Sequence, residues 1–263
     1  MPINSCGFFT IALISSITGA LLLLAAQKLW RSTRKHRTKA KGPCVNTYDR
    51  QLTNTEIREN EHRKFVGGLW EEIGALQLDF LKQHGLASAH LLLDVGCGCL
   101  RGGIPCIRYL EAGNYFGLDI NASLVKAGRI EIERERLTEK QPNLMVNDKF
   151  EFSRFGRKFD YVFALSVFTH LPMNHIIRCL IEIRKVLSPG GEFFATFFEA
   201  PSPAHIEQVR HMPGDVQTNY DSDPYHYSFE ECQMMASTAG VQVRLIGEWG
   251  HPRAQKMLSF TVD

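Results

Sequence analysis

Leu91-Leu-Leu-Asp-Val-Gly-Cys-Gly-Cys-Leu-Arg-Gly-Gly103 is the stretch that decides the fold. Apolar residues flank Asp94, and glycines fall at 96, 98 and 102. A short apolar run closed by glycines predicts a buried parallel strand. A glycine turn follows, and a helix opens near Arg101. Glycine takes φ > 0 at no steric cost and lets a ligand approach the main chain. The segment therefore predicts a strand–turn–helix that holds a nucleotide-like ligand at the carboxyl end of a sheet. Tyr115-Phe-Gly-Leu-Asp-Ile120 predicts a second strand about twenty residues on. It ends in Asp119, an acid placed to accept both hydroxyls of a ribose.

Two ligand classes suit such a turn. Dinucleotide sites place GxGxxG directly after the strand, so that a pyrophosphate meets the helix N-terminus. Here the spacing is GxGxxxG, and Asp94 lies two residues before the first glycine. A carboxylate there repels a pyrophosphate but tolerates a cationic amino-acid ligand. No tyrosine has a lysine four residues on, as a short-chain dehydrogenase would require. The stretch resembles the class I S-adenosylmethionine-dependent methyltransferases, whose first motif reads D-x-G-x-G. Asp94, Gly96 and Gly98 match that motif, and Asp119 matches the family's ribose-binding acid. The resemblance covers about residues 88–263 and implies S-adenosylmethionine as cofactor.

Outward from the motif, β-type and α-type segments alternate. Strands are expected at 88–93, 115–120, 144–146, 159–166 and 192–198, with a closing pair at 241–249 and 256–262. Helical spacing is read over 53–84, interrupted at Gly67-Gly68, and over 121–137, 174–187 and 228–239. Asn121 reads as an N-cap, and Ser228 with Glu231 as a capping box. Such alternation implies a mostly parallel sheet with helices on both faces. The resemblance makes it a Rossmann-like α/β fold of seven strands whose last strand is reversed.

The N-terminus differs in kind. Residues Phe8 to Ala26 are uncharged and mostly apolar, close to the ~20 residues that cross a bilayer. Seven basic residues and no acid follow from Lys28 to Lys41. By the positive-inside rule this predicts a single-pass transmembrane helix with the catalytic domain facing the cytoplasm. The expected organisation is an anchor at 1–30, a basic linker at 31–52 and a methyltransferase domain at 53–263. Residues 42–263 carry a net charge of about −5, which argues against nucleic acid as a partner. The seven cysteines show no CxxC pair, so neither a disulfide framework nor a metal site is indicated.

Four segments are expected to converge beyond the carboxyl ends of the strands. The resemblance implies that Asp148, in Asn147-Asp-Lys-Phe150, reads the adenine amine. Ser166-Val-Phe-Thr-His-Leu171 is similar to a family segment beside the cofactor's sulfonium, which puts Ser166 at the cofactor and makes His170 a candidate base. Tyr220-Asp-Ser-Asp-Pro-Tyr-His-Tyr227 closes a long polar loop and offers His226 as a second base. Trp249-Gly-His-Pro-Arg253 forms the last turn, where Arg253 can pair with an anionic substrate group. The expected function is methyl transfer to an oxygen or nitrogen of a small molecule or lipid head group. The alternative is an inactive protein of this fold that serves as a membrane-tethered binding module.

Overall fold

The computed structural model describes residues 47–200 and 206–262. The expected membrane span and most of the basic linker lie outside the described residues. Among the described residues, no helix is long and apolar enough to cross a membrane.

Four residues divide the region read as helical over 53–84, two of them at the expected Gly67-Gly68 interruption. Asn60, Gly67, Gly68 and Leu69 have φ of 63°, 92°, 64° and 49°. Left-handed residues cannot continue a right-handed hydrogen-bond ladder. Three helices result: α1 (Asn54–Arg58), α2 (Glu61–Phe65) and α3 (Trp70–Gln83). Thr53 and Glu56 form a capping box on α1.

The strands β1 (Leu92–Val95) and β2 (Tyr115–Asp119) are buried along their whole length. Continuous apolar runs suit strands covered on both faces. The helix α4 (Gly103–Tyr109) connects them, and α5 (Ala122–Arg134) leads to β3 (Asn143–Val146). Asn121 caps α5 by accepting from the amides of Ser123 and Leu124. After β4 (Phe159–Ala164) come α6 (Met173–Val186) and β5 (Leu187–Phe197). Residues 188–191, between the expected helix and the expected strand at 192–198, belong to β5, which pairs with β4 through an irregular register. The polar stretch beyond β5 contains an unpredicted hairpin, β6 (Val209–His211) with β7 (Val216–Thr218). Then follow α7 (Phe229–Ala239), β8 (Gln242–Gly247) and β9 (Lys256–Thr261).

The sheet order is β3-β2-β1-β4-β5-β9-β8. β1 to β5 are parallel, and β9 is antiparallel to both its neighbours. One core packs Phe80, Leu81, Ile104 and Ile107 on one face with Leu92, Phe163 and Phe194. The opposite core joins Ile176, Leu180, Ile183 and Met235 to Leu93, Val162 and Phe193. Truncating a phenylalanine buried this deeply to alanine costs about 3–5 kcal/mol.

The chain begins in mid-sheet at β1, runs outward to β3 and returns to β4. Strand order thus reverses between β1 and β4, where open α/β sheets leave a crevice beyond the carboxyl ends. Lys256 opens β9 opposite Phe197 at the end of β5, so the β8–β9 turn borders the same edge.

Candidate active site

The glycine turn and the acid of β2 are fastened to each other. Gly96 and Gly98 have φ of 69° and 54°. Gly98 N–H donates to Asp119 Oδ2 at 2.8 Å, and Asn121 N–H donates to Oδ1 at 2.7 Å. Burial pushes the Asp119 carboxyl above its usual range, and these amide bonds oppose that push. A carboxylate has about four acceptor sites, so each oxygen keeps one for a further donor. The neighbouring Ile120 is 46% exposed, an apolar surface set directly beside the acid.

Asp94 lies deeper. Its Oδ2 accepts from the Tyr115 hydroxyl at 2.6 Å. Burial raises its pKa to about 7 against the opposing pull of that bond, and Asp119 adds to the rise. The Cys97 and Cys99 thiols are buried, and burial pushes Cys99 up to about 12. They pack the turn and are poor nucleophiles at neutral pH.

The turn touches the end of β4. A Cβ on Gly96 would lie 2.5 Å from Val167 Cγ2, three residues before His170. Ser166 has φ of 58°. Its N–H donates to Thr196 Oγ1, and its hydroxyl donates to Gln255 Oε1 at 3.0 Å. That side chain is therefore held toward β5 and the β8–β9 turn. His170 Nδ1 lies 2.5 Å from Asp223 Oδ1, and the Asp223 side chain is only 5% exposed.

His226 has a different place from the one expected. It is fully buried, with Nδ1 2.7 Å from Thr218 Oγ1, which also lies 2.8 Å from His211 Nε2. This interior chain fastens the β6–β7 hairpin to the loop. The residue that the 220–227 loop brings to the mouth is Asp223, not His226. Asp148 is exposed just past β3. Its buried neighbour Asn147 forms the turn, accepting from the amides of Lys149 and Glu151.

Tyr48 completes the mouth from a stretch assigned to the linker. Its ring stands edge-on to His170 at 4.8 Å and to Phe65 at 5.5 Å. Asn121 Nδ2 donates to the carbonyls of Tyr48 and Arg50 at 2.7 and 2.9 Å. Leu52 N–H donates to Ser123 Oγ at 2.8 Å. The folded domain thus reaches back at least to residue 47.

A family described as a methyltransferase domain matches residues 93–193. A probable methyltransferase, ltbC, from Aspergillus luteorubrus is 22% identical over 152 residues, covering 56% of this chain and 50% of that protein. A ubiquinone biosynthesis O-methyltransferase from Nitrosococcus oceani is 26% identical over 132 residues, 49% of this chain and 53% of its own. The chain spans about half the length of these curated relatives. Among solved structures, a magnesium protoporphyrin IX methyltransferase from Synechocystis with bound S-adenosylmethionine superposes with a TM-score of 0.53 at 16% identity. That match covers 83% of this chain and 88% of the other. An S-adenosylmethionine-dependent methyltransferase from Clostridium acetobutylicum gives 0.59 at 9% identity, over 80% and 99%. Residues 93–193 thus match a methyltransferase domain, and the fold is that of solved S-adenosylmethionine-dependent methyltransferases.

Proposed function

We propose that this protein is a membrane-anchored S-adenosylmethionine-dependent methyltransferase that methylates an oxygen or nitrogen of a small molecule or lipid head group. The observation that carries the reading is Asp119, which bridges the Gly98 and Asn121 amides at the strand-order reversal. The residues present fit the cofactor. Asp119 has acceptor sites left for two ribose hydroxyls. Ile120 offers an apolar face to a purine. The glycine turn lets the main chain approach the amino-acid portion, and ionised Asp94 complements its ammonium group.

When bound, the cofactor supplies an electrophilic methyl group on a sulfonium. The chain's own residues position the acceptor and handle its proton. With its Nδ1–H directed at Asp223, His170 exposes Nε2 as a base. Asp223 fixes the ring orientation and stabilises the imidazolium that forms. The contact between Gly96 and Val167 ties this base segment to the cofactor turn.

The small-molecule acceptor is supported by the names of the relatives, a ubiquinone biosynthesis O-methyltransferase and a magnesium protoporphyrin IX methyltransferase. The apolar run 8–26 and the basic residues after it support a single-pass anchor with the domain on the cytoplasmic side. A lipid head group suits an enzyme held at that surface.

Calorimetric titration of the full-length chain in detergent with S-adenosylhomocysteine tests the reading. Wild type should bind, and Asp119→Ala should weaken binding by about tenfold or more, since it removes charge-assisted hydrogen bonds. Failure of wild type to bind, or equal affinity in the variant, overturns it.

A further inference from the structure

Beside the cofactor turn lies a pair of arginines with no ion-paired acid among the described residues; Asp94 acts on Arg101 only through space, more weakly than Arg253 does. Arg101 Nη1 donates to the carbonyls of Val66 and Gly68 at 2.8 and 2.9 Å. Arg253, from the β8–β9 turn, donates through Nη2 to the carbonyl of Gly67 at 2.5 Å. The two guanidinium groups are thus anchored to three consecutive carbonyls and held near each other. A Cβ on Gly67 would lie 2.8 Å from Arg253 Nη1, so the glycine makes room for that side chain. Among the described residues, neither arginine forms an ion pair with Asp or Glu.

Two donors here are left over. Arg101 Nε and His251 Nε2 are buried and have no hydrogen-bond partner. His251 is 4% exposed, and its Nδ1 accepts from the Arg253 amide at 3.2 Å. That bond puts the ring proton on Nε2, as a donor. Burial, then Arg101 and Arg253, hold the His251 pKa down to about 4, so the ring is neutral at physiological pH. Burial and then Arg253 likewise lower the Arg101 pKa. Buried donors without acceptors are rare in native proteins and call for an explanation. The carbonyls of residues 66–68 account for the Nη atoms. They account neither for the orphan Nε and Nε2 donors nor for two guanidinium groups set together with no ion pair among the described residues.

We propose that Arg101, Arg253 and His251 form an oxyanion site that receives a carboxylate or phosphate group of the methyl acceptor. The assignment deepens the methyltransferase reading and rests on it. Planar guanidinium forks suit such groups, and the neutral imidazole adds a directed N–H. The placement of Arg253 and His251 favours the acceptor over the cofactor as the source, while Arg101, at the end of the cofactor turn, can serve either. Arg253 and His251 lie in the β8–β9 turn, which borders β5, whereas Asp119 and Ile120 lie at β2. Ser166 and Gln255 link that turn to the segment bearing His170. Tyr48 stands between: its ring faces His170, and its hydroxyl, whose pKa burial raises, feels Arg101, then Asp223, then Arg253. An acceptor whose anion rests on the arginines therefore extends past Tyr48 toward the base.

The test is calorimetric titration of the full-length chain, in detergent, with benzoate and with its neutral analogue benzamide. Both titrations are run with and without saturating S-adenosylhomocysteine. Benzoate should bind at least about tenfold more tightly than benzamide, the scale of a charge-assisted hydrogen bond. Arg253→Gln should abolish that preference while leaving S-adenosylhomocysteine affinity within about threefold. Equal binding of benzoate and benzamide to wild type overturns the site without need of any variant. If Arg253→Gln weakens S-adenosylhomocysteine but not 5′-methylthioadenosine, which lacks the amino-acid carboxylate, the anion belongs to the cofactor and the acceptor assignment falls. Should Arg253→Gln not fold, Arg253→Lys and the wild-type ratio decide. Loss of S-adenosylhomocysteine binding by wild type would defeat the methyltransferase reading instead, and benzoate selectivity without it would still report on the oxyanion site.

Discussion

Two buried groups of charged side chains lie on this domain, and they are built on opposite plans. Around Glu131 every charge is answered. Its carboxylate meets His62 Nε2 at 2.7 Å, Arg63 at 3.0 and 2.7 Å, and Arg134 Nη1 at 2.9 Å. Burial pushes its pKa up, but the bonds from His62 and Arg63 outweigh that and hold it at about 2. Around Arg101, by contrast, a second arginine and a neutral histidine stand where a carboxylate would be expected. The first arrangement clamps α2 onto α5 and pairs every charge, leaving only the uncharged side of the ring, His62 Nδ1, without a partner among the described residues. The second leaves donors unsatisfied among the described residues and, on the proposed reading, is completed by the acceptor's anion. Compensation therefore separates charges that hold the fold from charges that await a ligand, although both groups are buried.

The widest gap should appear at His170, whose partner Asp223 holds the ring but leaves the second nitrogen to the acceptor. His170→Ala should lower turnover by ~10²–10⁴-fold with little change in cofactor affinity. Near-normal turnover per folded molecule would class the His170–Asp223 pair with the structural clamp. Glu131→Gln tests the clamp itself. Removing one partner of a buried ion pair costs about 3–5 kcal/mol. Urea denaturation should show that loss, while activity of the folded fraction stays normal.

Asp94 is the intermediate case, a buried acid whose hydrogen-bond partner, Tyr115, is neutral. Its folded pKa is about 7 against an ordinary value of 3.8, a displacement worth up to ~4 kcal/mol. Between those values the native state binds more protons than the unfolded chain. Ligand-free stability should therefore fall as pH rises from about 4 to 7 and stay low above 7. Asp94→Asn should remove that fall, leaving the variant more stable than wild type at pH 8 yet weaker in binding S-adenosylhomocysteine. Parallel denaturation curves at pH 5 and pH 8 check it, and a variant less stable at pH 8 would contradict it. The smallest change in stability is expected for Arg253→Gln. It loses one bond to Gly67 but relieves the repulsion of Arg101, so unfolding free energy should move by only about 1 kcal/mol. A loss as large as that of Glu131→Gln would erase the contrast between the two groups.

The sheet was legible because its signals are local. Buried runs at 91–95 and 115–119, glycines at the turn, and caps at Asn121 and Ser228 each declare themselves within a few residues. Asp94, Gly96, Gly98, Asp119 and His170 stand out as candidates for the same reason: each lies in a local motif at or just after a strand. What escaped depends on distant partners. Asp223 meets His170 across 53 residues, and no spacing rule reports such a pair. Tyr48 lay in a polar stretch whose composition suggested a linker, and only its bonds to Asn121 reveal it as part of the mouth. His226 was legible as an imidazole in a long loop, but its burial was not, because it depends on a hairpin with only three residues in each strand. The helix over 53–84 was overextended because apolar periodicity persists through Asn60 and Leu69, and nothing in either residue's identity demands a left-handed backbone.

The two bonds from Asn121 to the carbonyls of Tyr48 and Arg50 carry a consequence in time rather than in energy. Each contributes about 1 kcal/mol net, so together they multiply the closed-to-open ratio of the segment by a factor on the order of thirty, beyond what the Leu52–Ser123 bond and the Tyr48 ring contacts supply. If ligand must lift this segment to pass, traffic runs through a minority state that slows departure as much as arrival. Asn121→Ala should speed both the association and the dissociation of S-adenosylhomocysteine in stopped-flow traces, while the equilibrium constant moves far less than either rate. One amide side chain at the start of α5 would thus act as the clock of the site.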